Sequence, residues 1–126
     1  MQLKDPNLLK SHCFIDGQWV MADNGGQFEV HNPATGEPVA RVPTVGAAET
    51  ERAITAAARA FPAWAARTAE DRARVLRRWY ELMLAHQEDL AVLMTSEQGK
   101  PLSESRGEIH YAASFIDWFA EEARRV

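Results

Sequence analysis

Cys13 is the chain's only cysteine, and so the only side chain able to attack a carbonyl as a thiolate. That role needs a depressed pKa, which an adjacent lysine or arginine or a helix N-terminus supplies. The run Cys13-Phe14-Ile15 instead offers an apolar strand, so a half-buried structural thiol is expected. His12, His31, His86 and His110 show neither HxxxH spacing nor a carboxylate pattern that would complete a zinc site. The adjacent acids Glu88/Asp89 and Glu121/Glu122 fall in helical stretches, where sequence neighbours point apart. They are expected on exposed faces, without the apolar pocket that raises a catalytic carboxyl's pKa. No G-x-G-x-x-G turn and no P-loop occurs, and Gln98-Gly99-Lys100-Pro101 is too short to cradle a phosphate. Its plainer role is to stop one helix and start the next, with Lys100 able to reach a neighbouring carbonyl or carboxylate. No catalytic and no cofactor-binding residue is assigned.

The elements that would position these groups fall into two kinds. Residues 1–12 read as a lead-in with one helical turn after Pro6. Cys13–Ile15 and Gln18–Val20 read as strands joined at Asp16-Gly17, a hairpin turn pair. Asn24-Gly25-Gly26 is a second turn. Gln27–His31 alternates apolar and polar side chains, which predicts a strand with Phe28 and Val30 on its covered face. A turn through Pro33 and Gly36 leads to a further strand over Pro38–Val42. Residues 1–44 are thus expected to form an antiparallel β-meander, too small to stand without something to pack on.

Residues 45–126 are expected to be helical. An alanine-rich helix starts at Ala47, with its end or a kink at Pro62. Thr68 is placed to cap a second helix, with Glu70 and Asp71 at its positive end. Val75, Leu76, Trp79, Leu82 and Met83 recur at helical spacing as one stripe, which Leu90, Leu93 and Met94 continue after a break near His86. Gly99 suits a left-handed cap and Pro101 the first turn of the last helix. That helix carries two stripes, Ile109/Ala112/Ile116/Phe119/Ala123 and Tyr111/Phe115/Trp118. The fold class is therefore α+β, a meander followed by three or four helices.

Composition narrows the partners. At 126 residues and a net charge of −4, the chain lacks the basic field that nucleic acid binding requires. Arg72, Arg74, Arg77 and Arg78 are interleaved with Glu70, Asp71 and Glu81, the pattern of a solvated helix face. No signal region opens the chain and no apolar run approaches membrane-spanning length, which with a lone cysteine makes a cytoplasmic protein the expectation.

Asn32-Pro33-Ala34-Thr35-Gly36-Glu37, Glu97-Gln98-Gly99-Lys100-Pro101 and the helix Gly107 to Ala123 together closely resemble the beginning of an NAD(P)-dependent aldehyde dehydrogenase. The last of the three is similar to the bacterial succinate-semialdehyde dehydrogenase branch. The resemblance covers essentially all 126 residues and implies an N-terminal fragment of an aldehyde dehydrogenase domain. It implies an oxidoreductase that oxidises succinate semialdehyde to succinate, with glutarate semialdehyde second. A cysteine thiolate attacks the aldehyde, hydride passes to NADP or NAD, and a glutamate-activated water releases the acyl group. None of those groups maps onto a residue here, so the chain alone is expected to bind no cofactor and to be inactive. By the same resemblance, the carbonyl of Val30 or His31 and the acid Glu97 match a structural monovalent-cation half-site. Tyr111 and then Phe115 match the wall of the aldehyde entrance tunnel. A homo-oligomer is implied for the intact enzyme. The rival class is a split or truncated product, a non-catalytic module that binds or complements a partner through the doubly striped helix.

Overall fold

The computed structural model describes residues 1–125. After a 3₁₀ turn over Pro6–Leu8 come four strands, β1 (Cys13–Ile15), β2 (Gln18–Val20), β3 (Gln27–His31) and β4 (Pro38–Pro43). Four helices follow: α1 (Ala47–Ala65), α2 (Ala69–Ala85), α3 (Gln87–Gln98) and α4 (Leu102–Glu122). The α+β class is as expected, with the strands preceding the helices.

The expected meander is divided in two. β1 pairs only with β2 and β3 only with β4, so the strands form two separate antiparallel hairpins. The first closes through Asp16 and Gly17 at φ 51° and 79°, the positive-φ pair that matches strand twist. The segment 21–26 could have joined β2 to β3 in one sheet, but it is drawn to α1 instead. Ala22 is buried there, the Asp23 N–H donates to Glu49 Oε1 at 2.8 Å, and Arg52 forks onto both Asp23 oxygens at 2.7 Å. In β3, Val30 is half-buried against α3 but Phe28 is exposed, contrary to expectation, because nothing covers that end of the hairpin.

Helix boundaries follow local chemistry. Glu49 reaches back to the Gly46 N–H at 3.0 Å at the start of α1, the acid half of a capping box whose other half glycine has no side chain to supply. Pro62 does not end the helix but stands in its last turn; α1 continues to Ala65, and the Ala66 N–H finds the Pro62 carbonyl at 3.0 Å. Thr68 accepts from the Asp71 N–H at 3.1 Å as the cap of α2. His86 alone separates α2 from α3, and Gly99 ends α3 in the left-handed region at φ 75°.

The core is built on small residues. α4 lies against α2 and α3, and Ala73, Ala91, Ser105, Ile109, Ala113 and Ala120 are buried there. Thr95 of α3 and Ser105 of α4 share a hydroxyl hydrogen bond of 2.8 Å within this contact. The stripe read on α2 therefore splits: Leu76 and Met83 are half-buried, whereas Val75, Trp79 and Leu82 face outward. Of the first stripe on α4, Ile109 is buried and Ile116 and Ala123 are half-buried, whereas Ala112 and Phe119 are exposed. Alanine and serine let the backbones approach, and the bulky residues remain on the outside.

Candidate functional site

The two short motifs meet. Asn32 organises its turn by accepting from the Ala34 N–H at 2.9 Å through Oδ1 and from the Gly36 N–H at 2.8 Å through its carbonyl. Gly36 takes φ 76°, and the Asn32 N–H returns to the Glu37 carbonyl at 2.9 Å. This rigid turn presents Pro33 to the break after α3, where a Cβ placed on Gly99 would stand 2.8 Å from Pro33 Cγ. Glycine is thus required at 99 twice over, by backbone angle and by clearance. Lys100, just beyond, pairs with Glu108 of α4, the neighbouring carboxyl within its reach.

Val30, His31 and Glu97 flank that junction. Val30 and His31 straddle a β-bulge in which Val39 is the extra residue of β4, between partners Ala40 and Pro38. Pro38 has no N–H to donate, so regular pairing fails there. Glu97 is exposed in the last turn of α3, two residues ahead of Gly99. His31 and Arg41 both turn to Glu29, at 3.2 and 2.6 Å, and the Arg41 guanidinium holds the Glu29 carboxyl below its ordinary pKa. A hard cation prefers six or more oxygen ligands. One carbonyl and one carboxylate suit its chemistry but supply only part of a shell. Among the described residues, no three His, Cys, Asp or Glu side chains converge as a metal cluster.

Tyr111 and Phe115 stand together on the outer face of α4. Their rings meet edge to face, 4.9 Å apart at 81°, and they are 65% and 48% exposed. Trp118 and Phe119 extend the face, and an open groove bounded by Phe115, Trp118, Phe119 and Glu122 runs along it. Val75, Trp79 and Leu82 make a second outward apolar face on α2. Cys13 is half-buried in β1 opposite Val20, a strand thiol as expected.

Two carboxylates, Asp89 and Glu49, are buried. Asp89, read as an exposed helix acid, is only 4% accessible and accepts the N–H groups of Lys4 and Asp5, both at 2.9 Å. Those two donors hold its carboxyl below the ordinary range. Contacts across more than eighty residues leave no local signal. Glu49, 5% exposed, is held below its ordinary pKa first by the Asp23 N–H and also by the Gly46 N–H. Gly46-x-x-Glu49 lacks the Ser or Thr that marks a capping box, so the sequence carried no signal for it. Arg77 is also less solvated than the arginine-rich pattern implied, since it bridges to Asp117 and Glu121 of α4.

Residues 19–126 match the model described as "Aldehyde dehydrogenase family". Over all 126 residues the chain is 60% identical to a glutarate-semialdehyde dehydrogenase of Pseudomonas aeruginosa and 56% identical to the succinate-semialdehyde dehydrogenase (NADP(+)) GabD of Escherichia coli (strain K12). It spans 26% of the length of each. The crystal structure of succinate-semialdehyde dehydrogenase from Burkholderia pseudomallei superposes with a TM-score of 0.96 at 55% identity, over 100% of this chain and 26% of that one.

Proposed function

Because the chain belongs to the aldehyde dehydrogenase family, we propose that it is the N-terminal part of an NAD(P)-dependent oxidoreductase that converts succinate semialdehyde to succinate. By itself it neither turns over nor binds the cofactor. The observation that carries this reading is the combination of full-length similarity to a quarter of a semialdehyde dehydrogenase with large apolar side chains turned outward on α2 and α4. Glutarate semialdehyde is the second substrate, favoured by the relative at 60% identity. NADP is the first cofactor to test, since the relative at 56% carries it in its name.

Within this reading, Tyr111 and Phe115 form wall of the aldehyde's approach, their edge-to-face contact fixing one another's orientation. The Val30 carbonyl and the Glu97 carboxylate would hold one side of a monovalent cation, bracing the junction between the Asn32 turn and Gly99. The cofactor would supply the hydride acceptor, yet no turn among these residues presents clustered amides to a pyrophosphate, so no residue here is assigned to it. We place the intact enzyme in the cytoplasm as a homo-oligomer; among the described residues no helix is long and apolar enough to cross a membrane. The rival reading, a non-catalytic binding or complementation module, draws on the same exposed aromatics of α4.

The test is reduction of NAD or NADP by the 126-residue chain at high concentration with succinate semialdehyde. No rate above background is expected. Turnover that disappears in Cys13→Ala would overturn the assignment of no catalytic residue, because Cys13 is the only thiol.

A further inference from the structure

Asp89 sits at the third position of α3, yet both of its carboxylate oxygens are spent on backbone donors from the other end of the sequence. Lys4 N–H meets Oδ1 and Asp5 N–H meets Oδ2, each at 2.9 Å. Asp5 turns its own carboxylate the other way, accepting the Asn7 N–H and the Asn7 side-chain amide at 3.0 Å, and so begins the 3₁₀ turn at Pro6. Upstream, Met1 borders the concavity formed by Asn32, Thr35, Glu37, Val39 and Ser96. From Asp89 to Ser96 is about 10.5 Å along a helix axis, and three extended residues reach about 10 Å. The lengths agree for a segment running back along α3, from beside Ser96 to Asp89.

We propose that residues 1–5 are a strap laid antiparallel along α3 and latched by the buried carboxylate of Asp89, which holds the strap over the concavity beside the Asn32 turn. An ionised carboxylate is acceptor-only and offers one oxygen to each of the two N–H groups; an amide in its place keeps a single acceptor atom and turns its NH2 toward the other donor. The charged neighbours fit this state. Lys4 on the strap and His86 before α3 both favour the charged form, and the opposing Glu88 is engaged by Arg106 at 2.6 and 2.7 Å. The latch is distinct from the aldehyde and cation assignments and does not depend on them.

Amide hydrogen exchange on the 126-residue chain tests it. The Lys4 and Asp5 amides should be protected, and Asp89→Asn should lower that protection at least tenfold while Ile109 and Ala113 of α4 keep theirs. Lys4→Pro removes one donor without touching α3 and should also loosen the Asp5 amide. Exchange of Lys4 and Asp5 at unstructured rates, or protection unchanged in both variants, would overturn the latch. So would loss of protection through α3 and α4 in Asp89→Asn with Lys4→Pro silent, which would make Asp89 a helix cap only.

Discussion

Gly99 and Glu49 show how single residues set this framework. Gly99 combines φ 75° with the closest approach to the Asn32 turn, 2.8 Å from a hypothetical Cβ to Pro33 Cγ. Gly99→Ala is expected to lose about 1–2 kcal/mol from the left-handed backbone alone, and more from the contact with Pro33. Urea unfolding of the two proteins side by side measures the loss. Glu49 binds the Asp23 and Gly46 N–H groups as a carboxylate, which lowers its folded-state pKa below the ordinary value of 4.5. A depressed carboxylate confers stability that is complete above its unfolded pKa and is lost as pH falls through the folded one. Stability should therefore decline below about pH 4.5, and Glu49→Gln should flatten that acid limb while costing stability at neutral pH. Melting temperature followed from pH 7 to pH 3 checks both points.

Most elements were legible because each carries its punctuation locally. Asp16-Gly17, Thr68, Gly99 and the alternation of Gln27–His31 placed the turns, caps and strand where they are found. What periodicity could not supply was the choice of buried face. Helices α2 and α4 have more apolar residues than one contact can bury, and the contact selected the small ones, Ala73, Ser105, Ala113 and Ala120. Pro62 does not end α1 because it stands in the last turn, where one missing N–H costs too little to stop the helix. Asp89 and the division of the strands rest on contacts distant in sequence. The candidate site was readable as motifs, and their meeting at Pro33 and Gly99 came only from the fold. The small-residue seam makes its own prediction. Ala113→Leu should destabilise by about 1–3 kcal/mol through overpacking, as urea titration would show, whereas Ala112→Leu, on the exposed face, should be nearly neutral.

At the scale of the molecule, alanines and serine form the buried seam and aromatics form the surface. Tyr111, Phe115, Trp118, Phe119, Trp79 and Phe61 are all exposed. Burying a side chain of this size is worth roughly 1.5–3 kcal/mol, and a whole domain is stable by only about 5–15 kcal/mol. The isolated chain should therefore be marginally stable, bind a hydrophobic dye strongly and self-associate. Sedimentation and melting at several concentrations check this; a monodisperse monomer with a sharp, concentration-independent melt above ~60 °C, in the upper part of the usual mesophile range, would favour the binding-module reading.

The most direct measurement is a graft. The 126 residues replace the matching 26% of the Escherichia coli succinate-semialdehyde dehydrogenase, and NADP reduction with succinate semialdehyde is compared with that of the parent enzyme and of the chain alone. Turnover in the graft within about an order of magnitude of the parent, and none in the chain alone, is the expected result. A graft that folds and assembles but stays inactive, or a chain that turns over unaided, would contradict it.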